Sequence, residues 1–429
     1  MALGASMATE LTPWFALLDM NSYFATLEQQ ANPSLRGKPV GVLKEAGRSC
    51  IIAASKEAKK LGIKSGEPLK EAKKKAPNLI TVPAHFEHYF HNTKRLKSIF
   101  TELSPDVDLF SLDEAFIDLT HCRSLYPSAE VFFQACRVRI QEALGEWVTF
   151  SLGLGKNRLL AKLGSEFAGP DDYFEITSHN LDAVLSEAKV EEICGIGYRL
   201  TARLHQLGIT HVYQLNFCDD EYLLEHFGKF WGAELRKIGR GEESHLLDLR
   251  RRELPHMKSV SRSKTLFIPT GDHRYLEQMI YNLTEDMCFK ARRMKLSGRC
   301  VYLSLVDTEG RHWREEVRLQ GRHVHLSSDV FSLLLLNFHN VLLDWEKHGI
   351  QPTIIRTRVA LSDLHPLREP PTSWLPETDK QERAYQGIDA VNEKHGLYTV
   401  KSARLLGFKI IRPEVTGFLG DRDYQLEFS

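Results

Sequence analysis

The sequence predicts an α+β chain of several domains, and three observations carry that reading. Its 429 residues exceed one domain at roughly 100–200 residues each. Up to about residue 170, short apolar strands and helical segments follow the order β, insertion, β, α, β, β, α, β. That order fits a split ferredoxin-like layer with helices on one side. A mostly helical stretch from Asn180 to Asp248 then gives way to strands alternating with helices from Ser259 to Leu361. These read as a small helical domain and a four-stranded sheet covered by two helices. Hydrophobic residues at 42% and charged residues at 26% exclude wholesale disorder.

Phe15-Ala-Leu-Leu-Asp19 is a short buried strand, and Asn21 or Ser22 caps a helix through Tyr23 to Gln30. Pro33 and Gly37-Lys38-Pro39 break it. Val40–Leu43 and Cys50–Ala53 read as strands, and Lys56–Leu61 and Pro68–Lys75 as short basic helices, together a small α/β insertion. Leu79–Val82 resumes strand character, His85–Leu103 is helical, and Val107–Phe110 with Ala115–Leu119 form a hairpin around Ser111-Leu-Asp-Glu114. A helix (Ser128–Leu144), a strand (Val148–Leu152) and a helix (Asn157–Phe167) follow, and Gly169-Pro170 closes the unit. Beyond the linker-like Leu249–His256, strands lie near Ser259–Phe267, Cys300–Val306, Arg314–Leu319 and Thr353–Leu361. Pro366–Pro376 is Pro-rich and leads to a helix and a tail.

Lys+Arg and Asp+Glu both total 56, which on its face argues against a nucleic-acid partner, but the charges are segregated. Arg36 to Lys97 holds 15 Lys/Arg against 5 Asp/Glu, and Arg250 to Arg322 holds 16 against 9. Glu102 to Glu130 carries seven acids and one Arg. A basic stretch followed by an acidic one suits a metal-dependent enzyme acting on a polyanion. The longest apolar candidate, Phe331 to Leu343, is broken by Asn337, His339 and Asn340, short of the roughly 18 residues a membrane span needs. Met1–Glu10 lacks the features of a secretory signal. Seven cysteines include no C-x-x-C pair, so neither a disulfide framework nor a thiolate zinc site is implied. A cytoplasmic protein without a membrane partner is expected.

Asp19 at a strand end, with Asp113-Glu114 at a hairpin tip about 95 residues later, is the most informative constellation. Carboxylates from separate strand ends can converge on hard divalent cations. Two such ions about 3.5–4 Å apart can activate an attacking hydroxyl and stabilise a leaving phosphate oxygen. By spacing alone, Asp113 and Glu114 read equally well as polar turn residues. His85, His88 and His91 recur every third residue, which winds around a helix, so they are read as structural rather than as a zinc site.

Leu17-Leu-Asp-Met-Asn-Ser-Tyr-Phe-Ala25, Ser111-Leu-Asp-Glu-Ala-Phe-Ile-Asp118, Leu152-Gly-Leu-Gly-Lys-Asn-Arg-Leu-Leu-Ala-Lys162 and Gly195-Ile-Gly197 occur in that order. From about Phe15 to Leu361 the chain resembles the Y-family translesion DNA polymerases, of DinB/UmuC-like type. The resemblance implies a right-hand polymerase: a palm at 1–22 and 84–177, fingers at 23–83, a helical thumb with a helix-hairpin-helix at 178–248, and a linker at 249–256. A four-stranded α/β little finger at 257–362 and a C-terminal extension at 363–429 complete it. It implies catalytic Asp19, Asp113 and Glu114, which with the Met20 main-chain carbonyl hold two Mg²⁺ ions, Mn²⁺ being able to substitute. Asp118 is not a ligand.

For the nucleotide, the resemblance implies Tyr23, Phe24 as steric gate against a 2′-hydroxyl, Lys162 on the triphosphate, and Cys50 and Ile52 over the nascent pair. Many members clamp the triphosphate with Thr, Tyr and Arg where this chain has Ala53, Lys56 and Lys59. Lysine supplies charge but lacks arginine's two-pronged fork. As a core residue of its helix, Phe24 has a second reading. Gly195-Ile-Gly197 resembles a helix-hairpin-helix whose backbone N–H groups bind DNA phosphates, with a helix C-cap as the alternative. Ser259, Ser261, Arg262, Ser263 and Lys264 read as a backbone-tracking strand or as a solvated strand face. Gln425-Leu-Glu-Phe428 resembles part of a sliding-clamp peptide, and a terminal strand accounts for it equally. The implied function is template-directed primer extension in translesion synthesis by a monomer, with primer-template DNA and dNTP as partners. A catalytically silent DNA-binding accessory protein and a palm-fold nucleotide cyclase are the competing classes.

Overall fold

In the computed structural model, which describes residues 12–44, 50–247, 258–367, 376–396 and 398–411, the described residues fall into two units, 12–247 and 258–411. The first opens with β1 (Phe15–Met20) and α1 (Tyr23–Ala31). An inserted layer follows: β2 (Val40–Leu43), β3 (Ile51–Ala54), α2 (Lys56–Lys60), α3 (Leu69–Lys75) and β4 (Ile80–Pro83). Its strands form their own sheet in the order β3-β2-β4. The chain returns through α4 (Phe86–Leu103), β5 (Val107–Leu109), β6 (Glu114–Asp118), α5 (Ala129–Leu144), β7 (Phe150–Gly155), α6 (Arg158–Phe167) and β8 (Asp172–Ile176).

The main sheet has the order β5-β6-β1-β7-β8. Its first four strands pair antiparallel in ferredoxin-like order, and β8 adds parallel to β7 across α6. Two sequence expectations change here. Gly169-Pro170 does not close the unit, because Asp171 turns the chain at φ 62° into β8. Nor do helices lie on one side only. Ala16, Leu18 and Met20 pack with α1, α4 and α5, whereas Leu17 and Phe116 pack with α6 and the helices beyond it. A strand buried on both faces needs the unbroken apolar run that β1 has.

The glycines of Leu152-Gly-Leu-Gly155 explain how α6 reaches its place. A Cβ on Gly153 would stand 2.0 Å from the Ala161 carbonyl oxygen and 2.1 Å from the Ser165 nitrogen, both backbone atoms that cannot turn aside. Helix and strand therefore touch backbone to backbone, which carries Lys162 over the sheet. Gly153→Ala is expected to cost about 1–3 kcal/mol or more by overpacking. It should lower the melting temperature and weaken activity together, since α6 must move and Lys162 with it.

The rest of the first unit is helical: α7 (Leu181–Glu187), α8 (Tyr198–Gln206) and α9 (Asp220–Gly239), the last broken at Gly228 with φ 77°. In the second unit β9 (Ser259–Thr270), α10 (His273–Arg293), β10 (Leu296–Asp307), β11 (His312–Arg318), α11 (Ser327–Lys347) and β12 (Ile354–Pro366) build an antiparallel sheet of order β11-β10-β12-β9 with both helices on one face. The expected boundary at 362/363 is not a structural one. β12 runs on to Pro366, α12 (Pro376–His395) follows, and Leu405, Phe408 and Ile411 are buried in the same core. Asn282 on α10 secures this tail: its Nδ2 donates to the Tyr398 hydroxyl at 2.6 Å and its Oδ1 accepts the Ile411 N–H at 2.6 Å. The linker at 249–256 and Gln425–Phe428 lie outside the described residues. Among those described, no helix is long and apolar enough to cross a membrane.

Candidate active site

Strand register assembles the acids. β1 and β6 pair so that Asp19 stands directly opposite Glu114, and directly opposed residues of an antiparallel pair point to the same face. The Met20 N–H donates to the Asp113 carbonyl at 2.9 Å, which fixes the turn before Glu114 against the end of β1. Asp19, Met20 and Asp113 border one polar pocket of about 210 Å³. Burial, then the neighbouring Glu114 and Asp113, pushes the Asp19 carboxyl up to about 8, with Lys162 working the other way. Burial also raises Asp113, against a hydrogen bond that its carboxylate accepts from the Ser111 hydroxyl. The Lys162 ammonium donates to Glu114 Oε1 at 2.5 Å. Burial alone would pull Lys162 down, yet Glu114 and Asp19 hold it above its ordinary value. Among the described residues no three His, Cys, Asp or Glu side chains form a ready cation cluster. Glu114 is drawn to Lys162, and Asp113 to Ser111. Asp118 stays apart, its Oδ1 accepting the Thr120 N–H at 2.9 Å.

The same pocket takes in Phe24, Ile52, Ala53 and Lys59. Phe24 is half-buried, and its ring stacks on Tyr89 at 4.4 Å between centroids and 9° between planes. Tyr23 borders the pocket, but its side chain is in the core, 3% exposed, with the hydroxyl 3.1 Å from Thr93 Oγ1. The phenol is therefore not presented to a ligand. Lys56 does not reach the pocket: its Nζ donates to Thr149 Oγ1, tying α2 to the main sheet. Cys50 is exposed and lies outside the pocket, whereas Ile52 packs at its edge. Ser22, expected as a helix cap, sits at the N-cap of α1 in the left-handed region at φ 52° and makes no cap bond with its side chain.

Two further surfaces were expected. Gly195 has φ 98°, and Gly197 is the N-cap of α8 with no atom within 4 Å of where a Cβ would stand, so its backbone is open to close approach. What precedes it is a single 3₁₀ turn, Val190–Glu192, and the glycines open a helix instead of ending one. In the second unit, β9 splits the expected cluster between two faces. Ser259, Ser261 and Ser263 are on the open face, while Arg262 and Lys264 oppose Val359 and Thr357 and lie toward the helices. The Arg262 guanidinium pairs with Asp286 of α10 at 2.5 Å, its side chain only 10% exposed. Period-two alternation decides this, since Val260 and Leu266 of the same parity are core residues. The cations of the open face come from other strands. Arg358 opposes Ser263 and Arg356 opposes Thr265, both arginines exposed, with Arg314 and Arg318 on β11.

The sequence pattern of the impB/mucB/samB family matches residues 18–166, and that of the family's C-terminal domain matches residues 257–372. DNA polymerase IV of Moorella thermoacetica is 31% identical over 386 residues, which cover 89% of this chain and 93% of the relative. This chain belongs to the Y family of DNA polymerases. A second relative, DNA polymerase IV of Xanthomonas axonopodis pv. citri, is 35% identical over 67% of this chain and 78% of its own. Among solved structures, a Y-family DNA polymerase chimera of Dbh and Dpo4 matches with a TM-score of 0.67 at 22% identity, covering 82% of this chain and 98% of the other. An insertion ternary complex of Dbh DNA polymerase matches with a TM-score of 0.51 at 22% identity over 81% of this chain and 98% of the other. The fold is shared with both.

Within that family, the departure at Ala53, Lys56 and Lys59 acquires a geometry. Only Lys59 of the Lys56/Lys59 pair borders the pocket, and Ser65, which no motif singled out, joins it there. Arg356 and Arg358 were also missed, although their alternation with Thr357 and Val359 marks them as the outward set of a half-buried strand.

Proposed function

We propose that the chain extends a primer 3′-hydroxyl with deoxynucleoside triphosphates under the direction of a template, and that it does so past damaged template in DNA repair and damage tolerance. One observation carries the reading: the β1–β6 register sets Asp19 against Glu114 beside Asp113, in a polar pocket that also holds Phe24 and Lys59. Buried carboxylates held above their ordinary range need a compensating charge, and oxygen donors suit a hard divalent cation. Asp19, Asp113, Glu114 and the Met20 carbonyl would hold two Mg²⁺ ions, with Mn²⁺ able to substitute. Bound there, the ions would activate the primer hydroxyl and neutralise charge on the transferring phosphate.

The side chains do the rest by positioning and electrostatics. Lys162, held by Glu114 at the edge of the acids, would lend its charge to the incoming triphosphate once Glu114 engaged a bound cation. Lys59 adds a second charge, and Lys56 braces the inserted layer from Thr149. Phe24 fills the space of a 2′-hydroxyl, and Ile52 limits the pocket over the base. Backbone N–H groups at Gly195 and Gly197 take duplex phosphates, and Ser259, Ser261 and Ser263 track the backbone with Arg356 and Arg358. The same reading makes the protein a cytoplasmic monomer whose Gln425-Leu-Glu-Phe428 segment meets a sliding clamp.

Primer extension with Mg²⁺, run with and without template, tests the assignment. Extension only with template is expected. No extension would leave the silent accessory protein, and product without template would point to another nucleotidyl chemistry. The DNA face has its own check. Changing Arg356 and Arg358 to Glu should weaken binding and flatten its salt dependence by roughly 0.9 log–log units for each phosphate no longer neutralised. Arg262→Glu should instead destabilise the second unit, because it sets two carboxylates together under the sheet.

A further inference from the structure

One face of α4 serves both the sugar pocket and the turn that carries Asp113. Tyr89, fully buried, lies flat against Phe24, and its hydroxyl donates to Glu28 Oε1 at 2.5 Å. Glu28 is itself 5% exposed and stands one helical turn beyond Phe24 on α1. His85, one turn before Tyr89, places Nδ1 2.9 Å from the same carboxylate. The ring facing Phe24 is thus held at its far end by the helix that bears Phe24, and Phe86 closes the group edge-on to both rings.

One turn further along α4, Thr93 is fully buried and its hydroxyl donates to the Leu112 carbonyl at 2.8 Å. A threonine has one hydroxyl proton, so toward Thr93 the Tyr23 hydroxyl, 3.1 Å away, can only donate, and the same proton has the Tyr89 main-chain carbonyl as a longer second acceptor at 3.4 Å. Tyr23 to Thr93 to Leu112 is therefore a directed chain from the residue before Phe24 to the residue before Asp113.

We propose that Tyr89 and Thr93 are positioning residues with separable effects: Tyr89 fixes the Phe24 ring and so sets discrimination between ribo- and deoxyribonucleotides, whereas Thr93 fixes the Asp113 turn and so sets the rate of transfer. The proposal rests on the polymerase reading above. Neither residue borders the pocket, so each acts through the residue it holds.

The experiment measures single-nucleotide insertion of matched ribo- and deoxynucleotides by the full chain, with melting temperatures recorded for every variant. Tyr89→Leu removes the flat partner and should raise the ratio of ribo- to deoxynucleotide efficiency by roughly two- to tenfold, the scale of an aromatic-pair energy. Tyr89→Phe keeps the ring, loses only the bond to Glu28, and should move the ratio the same way by less. Thr93→Val should lower kcat by roughly tenfold for both sugars, with the ratio and KM unmoved, because a buried donor and acceptor lose their partner. Thr93→Ser, which restores the hydroxyl, should restore kcat. A ratio that stays put in both folded Tyr89 variants, or shifts equally in Thr93→Val, overturns the assignment. An unmodified protein that inserts no deoxynucleotide on a primer-template refutes the polymerase reading itself.

Discussion

Asp113→Asn should lower primer extension by at least roughly a hundredfold, the several kcal/mol that carboxylate ligation of catalytic cations supplies, and should not cost folding stability. The two halves of this expectation have one cause. Burial holds the Asp113 carboxyl above its ordinary range, and Asp19 beside it is pushed up to about 8. A carboxyl whose folded value is raised contributes stability that is present below its unfolded value and is lost as pH rises through the folded one. For Asp19 that window runs from about 3.8 to about 8. Without divalent ions, the acids are therefore a liability near neutral pH. Asparagine keeps the size and the contact with Ser111 while removing a charge. Its melting temperature should match or exceed that of the unmodified chain in chelator, most clearly toward pH 8. Near-normal extension by the folded variant would remove Asp113 from the chemistry.

Phe24→Ala should raise ribonucleotide insertion strongly relative to deoxynucleotide insertion. Steric exclusion differs from recognition by a hydrogen bond, since truncating an excluding ring opens space without leaving a polar group unpaired. Phe24 borders the pocket while its other face is occupied by Tyr89, so truncation also exposes the Tyr89 ring and should cost some ordinary synthesis. The ratio is measured within each variant, which cancels losses common to both sugars. A ratio equal to that of the unmodified protein would make Phe24 a core residue only.

The strands bearing the acids were legible because an aspartate ending an apolar run marks a strand end. Their convergence is legible only through the family resemblance, since it depends on the Asp19–Glu114 register, which no local pattern encodes. Arg262 and Lys264 were misassigned although the sequence held the correction. They share parity with Val260 and Leu266, so a strict alternation places them under the sheet, where Asp286 compensates one charge. β8 hid behind Gly-Pro-Asp-Asp, whose turn chemistry masked four following strand residues. The stretch from 366 to 376 reads as a break by composition. Leu405, Phe408 and Ile411 beyond it recur every third residue, a spacing of neither a strand nor a sustained helix that would announce their entry into the core. Spacing placed Lys56 and Lys59 on one short helix, but which of them borders the pocket depends on Thr149, 93 residues from Lys56.

The most direct measurement is single-nucleotide insertion by the purified chain on four primer-templates that differ only in the templating base, with Mg²⁺ or with chelator. Templated transfer at Asp19, Asp113 and Glu114 requires the complementary deoxynucleotide to be preferred on each template and all insertion to stop in chelator. Insertion that ignores the templating base, or that persists in chelator, would contradict it.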